Sequence, residues 1–411
     1  MNIRILHTSD WHLGRKLHGE SLSDAHQSFL DWFIAEVIPD EKPNLIVVSG
    51  DIYDRGIPPN EVIELFENTL ARIQATRTPI LITSGNHDSS VRLGSNTRWL
   101  DPVGLHFRTK ISELTKPVII PGEDFDLYSF GIPYIEPDVD TGLGPNQLDA
   151  KNNHTSVLAE SVRLIKASLP KSGSKSIRTL VASHAFVRGG IQSASERSLR
   201  LGGESKLDES GKLQVGGLGE ADAELFAGID YVAMGHLHGA QPIRETKSST
   251  IQYSGSPIPF SFSEKDHEKQ VVLVTMSKDG VDRKNIVPIP VPQQRKMRVI
   301  EDTLENVIRN SEQDSNREDW LHIILQEQSV PAGVYDDLKR RYPHLLKWEY
   351  KRGERTSIYA EICDGSRRIT PSDITKHFYE KVRGVAPSEE TKTLIDDCCE
   401  TVQLGLAQVH K

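Results

Sequence analysis

Five short apolar runs in this chain share one design: each reads as a buried strand, and each stops at a cluster of polar side chains. They are "IRILHTSDWH" (3–12), "LIVVSGDIYD" (45–54), "ILITSGNHD" (80–88), "TLVASHA" (179–185) and "YVAMGHLHG" (231–239). Helical patterns lie between several of them. Residues 24–38 place Phe29, Phe33 and Val37 on one face, and residues 60–73 do the same with Val62, Phe66, Leu70 and Ile73, the spacing of an amphipathic helix. Asn60, after Pro59, is the expected cap of the second helix. Alternation of strand and helix predicts an α/β core, in which sites gather at the carboxyl ends of the strands. Five polar clusters at five strand ends are therefore expected to face one crevice.

The residue types in those clusters specify the chemistry. They supply Asp10 and His12; Asp51 and Asp54; Asn86, His87 and Asp88; His184; and His236 and His238. Alternate residues leaving a strand point the same way, so Asp10 with His12 and His236 with His238 are each expected to place two ligands on one side. Carboxylates, imidazoles and an amide oxygen, without thiolate, suit Mn²⁺, Fe²⁺, Mg²⁺ or Zn²⁺. The set exceeds one ion's needs, and a carboxylate such as Asp51 could bridge two ions about 3.5–4 Å apart, the spacing of two-metal phosphoryl-transfer sites.

Composition sets outer bounds. A chain of 411 residues has room for two or three domains. Its net charge of −9 excludes nucleic-acid binding by bulk electrostatics, so any contact with nucleic acid must come from local cations, metal ions or a partner. Candidate cations follow the clusters in sequence: Arg15, Lys16 and His18, then Arg55, Arg92 and Arg188. The three cysteines (Cys363, Cys398 and Cys399) form neither a zinc motif nor an ordinary disulfide pattern. No run approaches a membrane span. A cytoplasmic protein is expected. No Gly-x-x-x-x-Gly-Lys-(Ser/Thr) occurs, so no nucleotide site of that kind is expected.

Beyond the fifth cluster, 251–264 and 269–280 read as neighbouring strands, and 287–295, with Pro288, Pro290 and Pro292, reads as a linker. Residues 320–326, 334–343 and 345–352 read strand, helix, strand, a small α+β domain. Two amphipathic helices close the chain: 370–382 with Ile374, Phe378 and Val382, and 387–408 with Leu394, Cys398 and Val402. They are expected to fold back or to dock on a partner. Residues 138–153 and 188–220 read as mobile, and His26 is expected on the surface or just behind the site.

Taken in order, Asp-x-His, Gly-Asp-x-x-Asp, Gly-Asn-His-Asp, His and Gly-His-x-His resemble the signature of the calcineurin-like metallophosphoesterases. "ILHTSDWHLGRKL", "SGDIYDRGIPP", "YVAMGHLHGAQ" and "YSGSPIPFSFSE" are similar, more closely, to the SbcD family of bacterial nuclease subunits. The resemblance implies an α/β β-sandwich flanked by helices over 1–290, a small α+β DNA-capping domain over 291–368, and a helical tail over 369–411. It implies that Asp10, His12, Asp51 and His238 hold one divalent ion and that Asp51, Asn86, His184 and His236 hold the other, with Mn²⁺ expected before Mg²⁺. His87 would protonate the leaving oxygen, with Asp88 orienting its ring. Asp54 would stand behind the ligands. The implied activity is exonuclease on double-stranded DNA and endonuclease on single-stranded or hairpin DNA, within an ATP-dependent, nucleoid-associated DNA repair complex. The implied partners are DNA, a second copy of the chain, and an SbcC-type coiled-coil ATPase held by Ile374, Phe378, Val382, Leu394 and Val402. The five-part signature alone does not separate a nuclease from a phosphomonoesterase or a cyclic-nucleotide phosphodiesterase.

Overall fold

This computed structural model describes residues 2–135, 154–171, 175–196, 206–207, 213–214, 221–243, 249–327, 329–351, 370–383 and 385–409. Residues 138–153, Cys363, and Arg197 and Arg200 in the glycine-rich 188–220 stretch lie outside the described residues.

All five apolar runs are strands, and they divide between two six-stranded sheets. Ile3–Thr8, Leu45–Ser49 and Ile80–Thr83 run parallel in the first sheet, with Leu105–Arg108 beside the third. Ser176–His184 and Tyr231–Gly235 run parallel in the second. Alternate side chains explain the packing. Ile5, Leu45, Val47 and Leu81 meet Leu127, Leu180, Ala182, Tyr231 and Ala233 between the sheets. Leu6, Ile46, Val48 and Ile82 face outward, under helix residues Phe29, Phe33, Val62, Phe66, Leu70 and Ile73. A strand buried on both faces reads as a nearly continuous apolar run, which is why these runs lack polar alternation. The helix His154–Ser168 covers the second sheet in the same way through Val157, Leu158, Val162 and Ile165. The result is a β-sandwich flanked by helices.

Three local expectations need correction. The Asn60–Ala75 helix is capped by Pro59, whose extended backbone (ψ 157°) starts it without a side-chain bond. The strands Thr250–Tyr253 and Gln270–Met276 are not neighbours: the first lies in the second sheet, the other pairs antiparallel with Ile3–Thr8 in the first. The proline-rich stretch begins as the edge strand Ile286–Pro290, paired with Gln270–Met276. An edge strand needs hydrogen bonds on one side only, so proline is tolerated there.

The small domain is a three-stranded parallel sheet, Met297–Asp302, Trp320–Leu325 and Leu345–Tyr350, with helices Leu304–Ser311 and Val334–Arg341. Met297 and Trp320 join the core of the first sheet's outer layer, and Phe262 rests 5.3 Å from the His322 ring. The helices Pro371–Arg383 and Glu389–Val409 hold each other through Lys376 and Asp396. Among the described residues, no helix is long and apolar enough to cross a membrane.

Candidate metal centre

The chain leaves each strand by a tight turn that the local sequence makes feasible. After Thr8, the Asp10 N–H donates to the Gly50 carbonyl (3.1 Å), and the His12 N–H donates to the Asp51 carbonyl (2.9 Å). Two ligand loops are thereby zipped together. Asp10, His12, Asp51 and His236 all have positive φ (54°, 45°, 52° and 104°). Such backbone is costly for non-glycine residues and persists only where the surroundings impose it, typically at functional sites. The glycines of the clusters answer to close approach. A Cβ on Gly85 would sit 2.1 Å from Asp51 Oδ1, and one on Gly235 would sit 1.9 Å from the Ser49 carbonyl oxygen.

These turns bring the clusters of both sheets to one place. Asp10, His12 and His238 form one group with ligand atoms within 4.8 Å of one another, and Asp10, Asp51 and His184 form a second. Asp51 Oδ2 lies 3.5 Å from His12 Nε2 and 3.3 Å from His184 Nε2, so one carboxylate oxygen faces both groups. Asn86 Oδ1 is 3.0 Å from His184 Nε2. The His12 and His238 Nε2 atoms face each other at 3.2 Å. His236, whose N–H donates to Asp10 Oδ1 (3.0 Å), packs its ring 5.3 Å from that of His184. Asp10 and His12 convergence comes from the two left-handed turns rather than from strand alternation, because the strand ends at Thr8.

This donor set fits divalent cations. Six ligand candidates are buried, and His236 Nε2 is buried with no hydrogen-bond partner among the described residues. Burial pushes the His12 and His236 pKa values well below the ordinary 6.5, leaving neutral imidazoles with a lone pair to give. Burial works against charge on Asp51, but the charged His184 ring beside it outweighs that cost and holds its pKa well below the usual carboxylate range. His184, which burial alone would lower, is pushed up to about 9 by the Asp51 and Asp10 carboxylates. Its Nδ1–H donates to the Ser49 carbonyl (2.9 Å), which fixes the ring.

Neighbouring residues depart from expectation. His87 Nδ1–H donates to the Asp54 carbonyl (2.7 Å), and its ring lies 4.7 Å from that of His12. Asp88 does not orient His87. Its carboxylate accepts the N–H groups of Gly85, Ile52 and Tyr53 (2.9, 3.1 and 2.9 Å) and so clamps the second cluster to the third. Burial and the Asp51 charge raise the Asp88 pKa to about 7 against those donors. Asp54 stands behind His12, with Oδ1 3.7 Å from Nδ1. Arg15 is not a free cation: it turns inward, donates to the Ser195 carbonyl (3.0 Å) and stacks over Phe260. Lys16, His18, Arg55, Arg92 and Arg188 are exposed. His26 is not on the surface. It is buried, and its Nε2–H donates to the Trp11 carbonyl (2.8 Å).

Sequence reasoning missed Ser195, Glu264 and Lys269, which surround His238. Glu264 closes the apolar stretch 257–262, and Lys269 opens the next strand, but a glutamate and a lysine five apart carry no periodic signal.

Residues 3–240 match the profile of the family described as Calcineurin-like phosphoesterase, and residues 293–383 match the Type 5 capsule protein repressor C-terminal domain. The chain is 30% identical over 384 residues to the SbcD subunit of the nuclease SbcCD from Staphylococcus saprophyticus, covering 93% of this chain and 94% of that one. Among solved structures, TT1561 of Thermus thermophilus is 12% identical with a TM-score of 0.38, over 71% of this chain and 100% of its own. The sulfate thiohydrolase SoxB of the same species is 12% identical with a TM-score of 0.35, over 70% and 56%.

Proposed function

This chain belongs to the calcineurin-like phosphoesterases and, within them, to the SbcD family of nuclease subunits; from that membership we propose that it is the metal-dependent nuclease subunit of an ATP-dependent DNA repair complex. The observation that carries the reading is the single Asp51 oxygen facing both ligand groups, 3.5 Å from His12 and 3.3 Å from His184. In this reading Asp10, His12, Asp51 and His238 hold one Mn²⁺, and Asp51, Asn86, His184 and His236 hold the other, with Mg²⁺ as substitute. Bound divalent ions supply positive charge that draws in a phosphodiester and stabilises charge developing on its oxygens.

The protein's own groups do the rest. His87, with Nδ1–H anchored on the Asp54 carbonyl, would act in its imidazolium form, giving the Nε2 proton to the leaving oxygen and returning to the neutral ring with Nδ1–H still anchored. Asp88 holds the two ligand loops in register through its three backbone N–H bonds. The exposed Lys16, His18, Arg55, Arg92 and Arg188 offer phosphate contacts around the crevice.

Partners follow from surfaces. Ile57, Val91, Trp99 and Val103 are 70%, 72%, 82% and 50% exposed. Ile57 and Val91 flank Gly56 and Ser89, which lie against each other, and these exposed apolar side chains are offered as the surface for a second copy of the chain. On the tail, Phe378, Val382, Leu394 and Val402 are exposed, while Ile374 is half-buried. That face would receive the helices of the SbcC-type ATPase. The proposed division is a nuclease domain (1–290), a DNA-capping domain (291–368) and an ATPase-binding tail (369–411), working in the cytoplasm at the nucleoid.

The test compares cleavage of end-labelled DNA, a model phosphodiester and a model phosphomonoester, with Mn²⁺ and with chelator. Metal-dependent diester and DNA cleavage is expected. Turnover of the monoester with DNA left intact would move the chain to the phosphomonoesterases.

A further inference from the structure

His238 is embedded in a buried hydrogen-bond chain that ends in a charge pair. Glu264 and Lys269 form an ion pair whose side chains are 0% and 2% exposed. Removing two charges from water is expensive unless every donor and acceptor is satisfied, and here they are. The three ammonium hydrogens of Lys269 go to Glu264 Oε2, Ser256 Oγ (2.9 Å) and the backbone carbonyl of His238 (3.0 Å). Glu264 Oε2 also receives the Phe260 N–H (3.3 Å). The other oxygen, Oε1, is hydrogen-bonded to Ser195 Oγ, and Ser195 Oγ lies 2.6 Å from His238 Nδ1.

Donor logic fixes the direction of this chain. A carboxylate facing an ammonium only accepts, so the Ser195 hydroxyl must donate to Glu264. Its oxygen is then free to accept, and the partner able to donate is His238 Nδ1–H. The nearby Ser193 hydroxyl is spent on Glu196 Oε2 (2.8 Å), and Glu196 Oε1 accepts the His238 backbone N–H (2.8 Å). With its proton held on Nδ1, the neutral ring carries its lone pair on Nε2, the atom that faces His12 at 3.2 Å.

We propose that Glu264, held by Lys269 and acting through Ser195, is a positioning residue that locks His238 in the tautomer and orientation needed to bind a divalent cation through Nε2. The proposal rests on the reading of His238 as a metal ligand. Groups that orient a ligating histidine commonly contribute 10–100-fold to metal affinity. The same segment touches the small domain, since Phe262, two residues before Glu264, lies between His18 (5.8 Å) and His322 (5.3 Å).

The experiment uses the full chain and two readouts: Mn²⁺ titration calorimetry, and ¹⁵N spectra of histidine-labelled metal-free protein. Ser195→Ala carries the test, because it leaves the buried ion pair intact. It is expected to weaken one of two Mn²⁺ sites by about 10–100-fold and to remove the single Nδ1–H signature of His238, with Ser195→Thr restoring both. Glu264→Gln with Lys269→Met, which removes both charges together, is expected to give the same loss. His238→Gln separates the two layers. Retention of both Mn²⁺ ions in His238→Gln would overturn the ligand reading itself. Loss of one ion in His238→Gln, with unchanged affinity and tautomer in Ser195→Ala, would overturn the positioning role alone.

Discussion

The ligand-bearing end of the sandwich and the helical tail are opposites in how they use their side chains. At the sandwich end key polar groups find their partners within the chain: Asp88 clamps three backbone N–H groups, Lys269 satisfies three acceptors, and Asp51 faces two imidazoles. In the tail, Phe378, Val382, Val385, Leu394 and Val402 are all more than half exposed, and the two helices are joined by a few polar links such as Lys376–Asp396. The first region is held by its own side chains and backbone. The second leaves an apolar face that the described residues do not cover. On the proposed function, the ligand-bearing end is positioned within one chain, while the tail is to be finished by the ATPase partner.

If the contrast is right, damage at the two ends should separate cleanly. Deleting residues 370–411 should abolish co-purification with the coiled-coil ATPase while sparing Mn²⁺-dependent cleavage of a simple diester. Loss of that cleavage on deletion would erase the contrast. His87→Ala should leave Mn²⁺ stoichiometry unchanged and cut turnover by roughly 10²–10⁴-fold, the range for one positioned acid. Release of metal by the same substitution would move His87 among the ligands. Phe378→Asp and Val382→Asp should each weaken ATPase binding by about tenfold or more, as truncation of an interface anchor does. Their own melting should shift little, since exposed substitutions stay within about 0.5 kcal/mol; a large shift would mean the face is already covered.

A further expected effect concerns pH. Burial lowers the His26 pKa from 6.5 to about 4. The folded chain therefore binds fewer protons than the unfolded one between those values. Stability is full above about 6.5 and falls as pH drops towards about 4, by up to about 1.4 kcal/mol per pH unit from this one group. His26→Gln keeps a donor for the Trp11 carbonyl and should flatten that slope in thermal melts at pH 7, 6 and 5. An unchanged slope would show that His26 is not a protonation-sensitive part of the core.

How far the sequence reaches differs between the same two regions and follows from physics. Both-face burial makes Ile3–Thr8 and Leu45–Ser49 largely apolar, and the polar cluster after each run marks its carboxyl end, so the candidate ligands are readable as a linear list. Apolar pattern reports faces and periods, not sheet membership. That is why Thr250–Tyr253 and Gln270–Met276 read as neighbours although they lie in different sheets. Pro288 and Pro290 read as a linker because proline cannot serve a central strand; their place on an edge depends on which strand lies beside them. Glu264 and Lys269 bracket a hydrophilic stretch that by pattern belongs in water, and only the fold turns both ends of it inward. Asp88 sits beside His87 in sequence, yet three backbone donors claim its carboxylate first.

In the proposed function Asp51 joins two ions into one centre. Electron paramagnetic resonance of the chain loaded with two equivalents of Mn²⁺ tests it most directly. A spin-coupled Mn²⁺ pair is expected, with coupling lost in Asp51→Ala. Two equivalents bound as independent, uncoupled ions in the unaltered chain would contradict it.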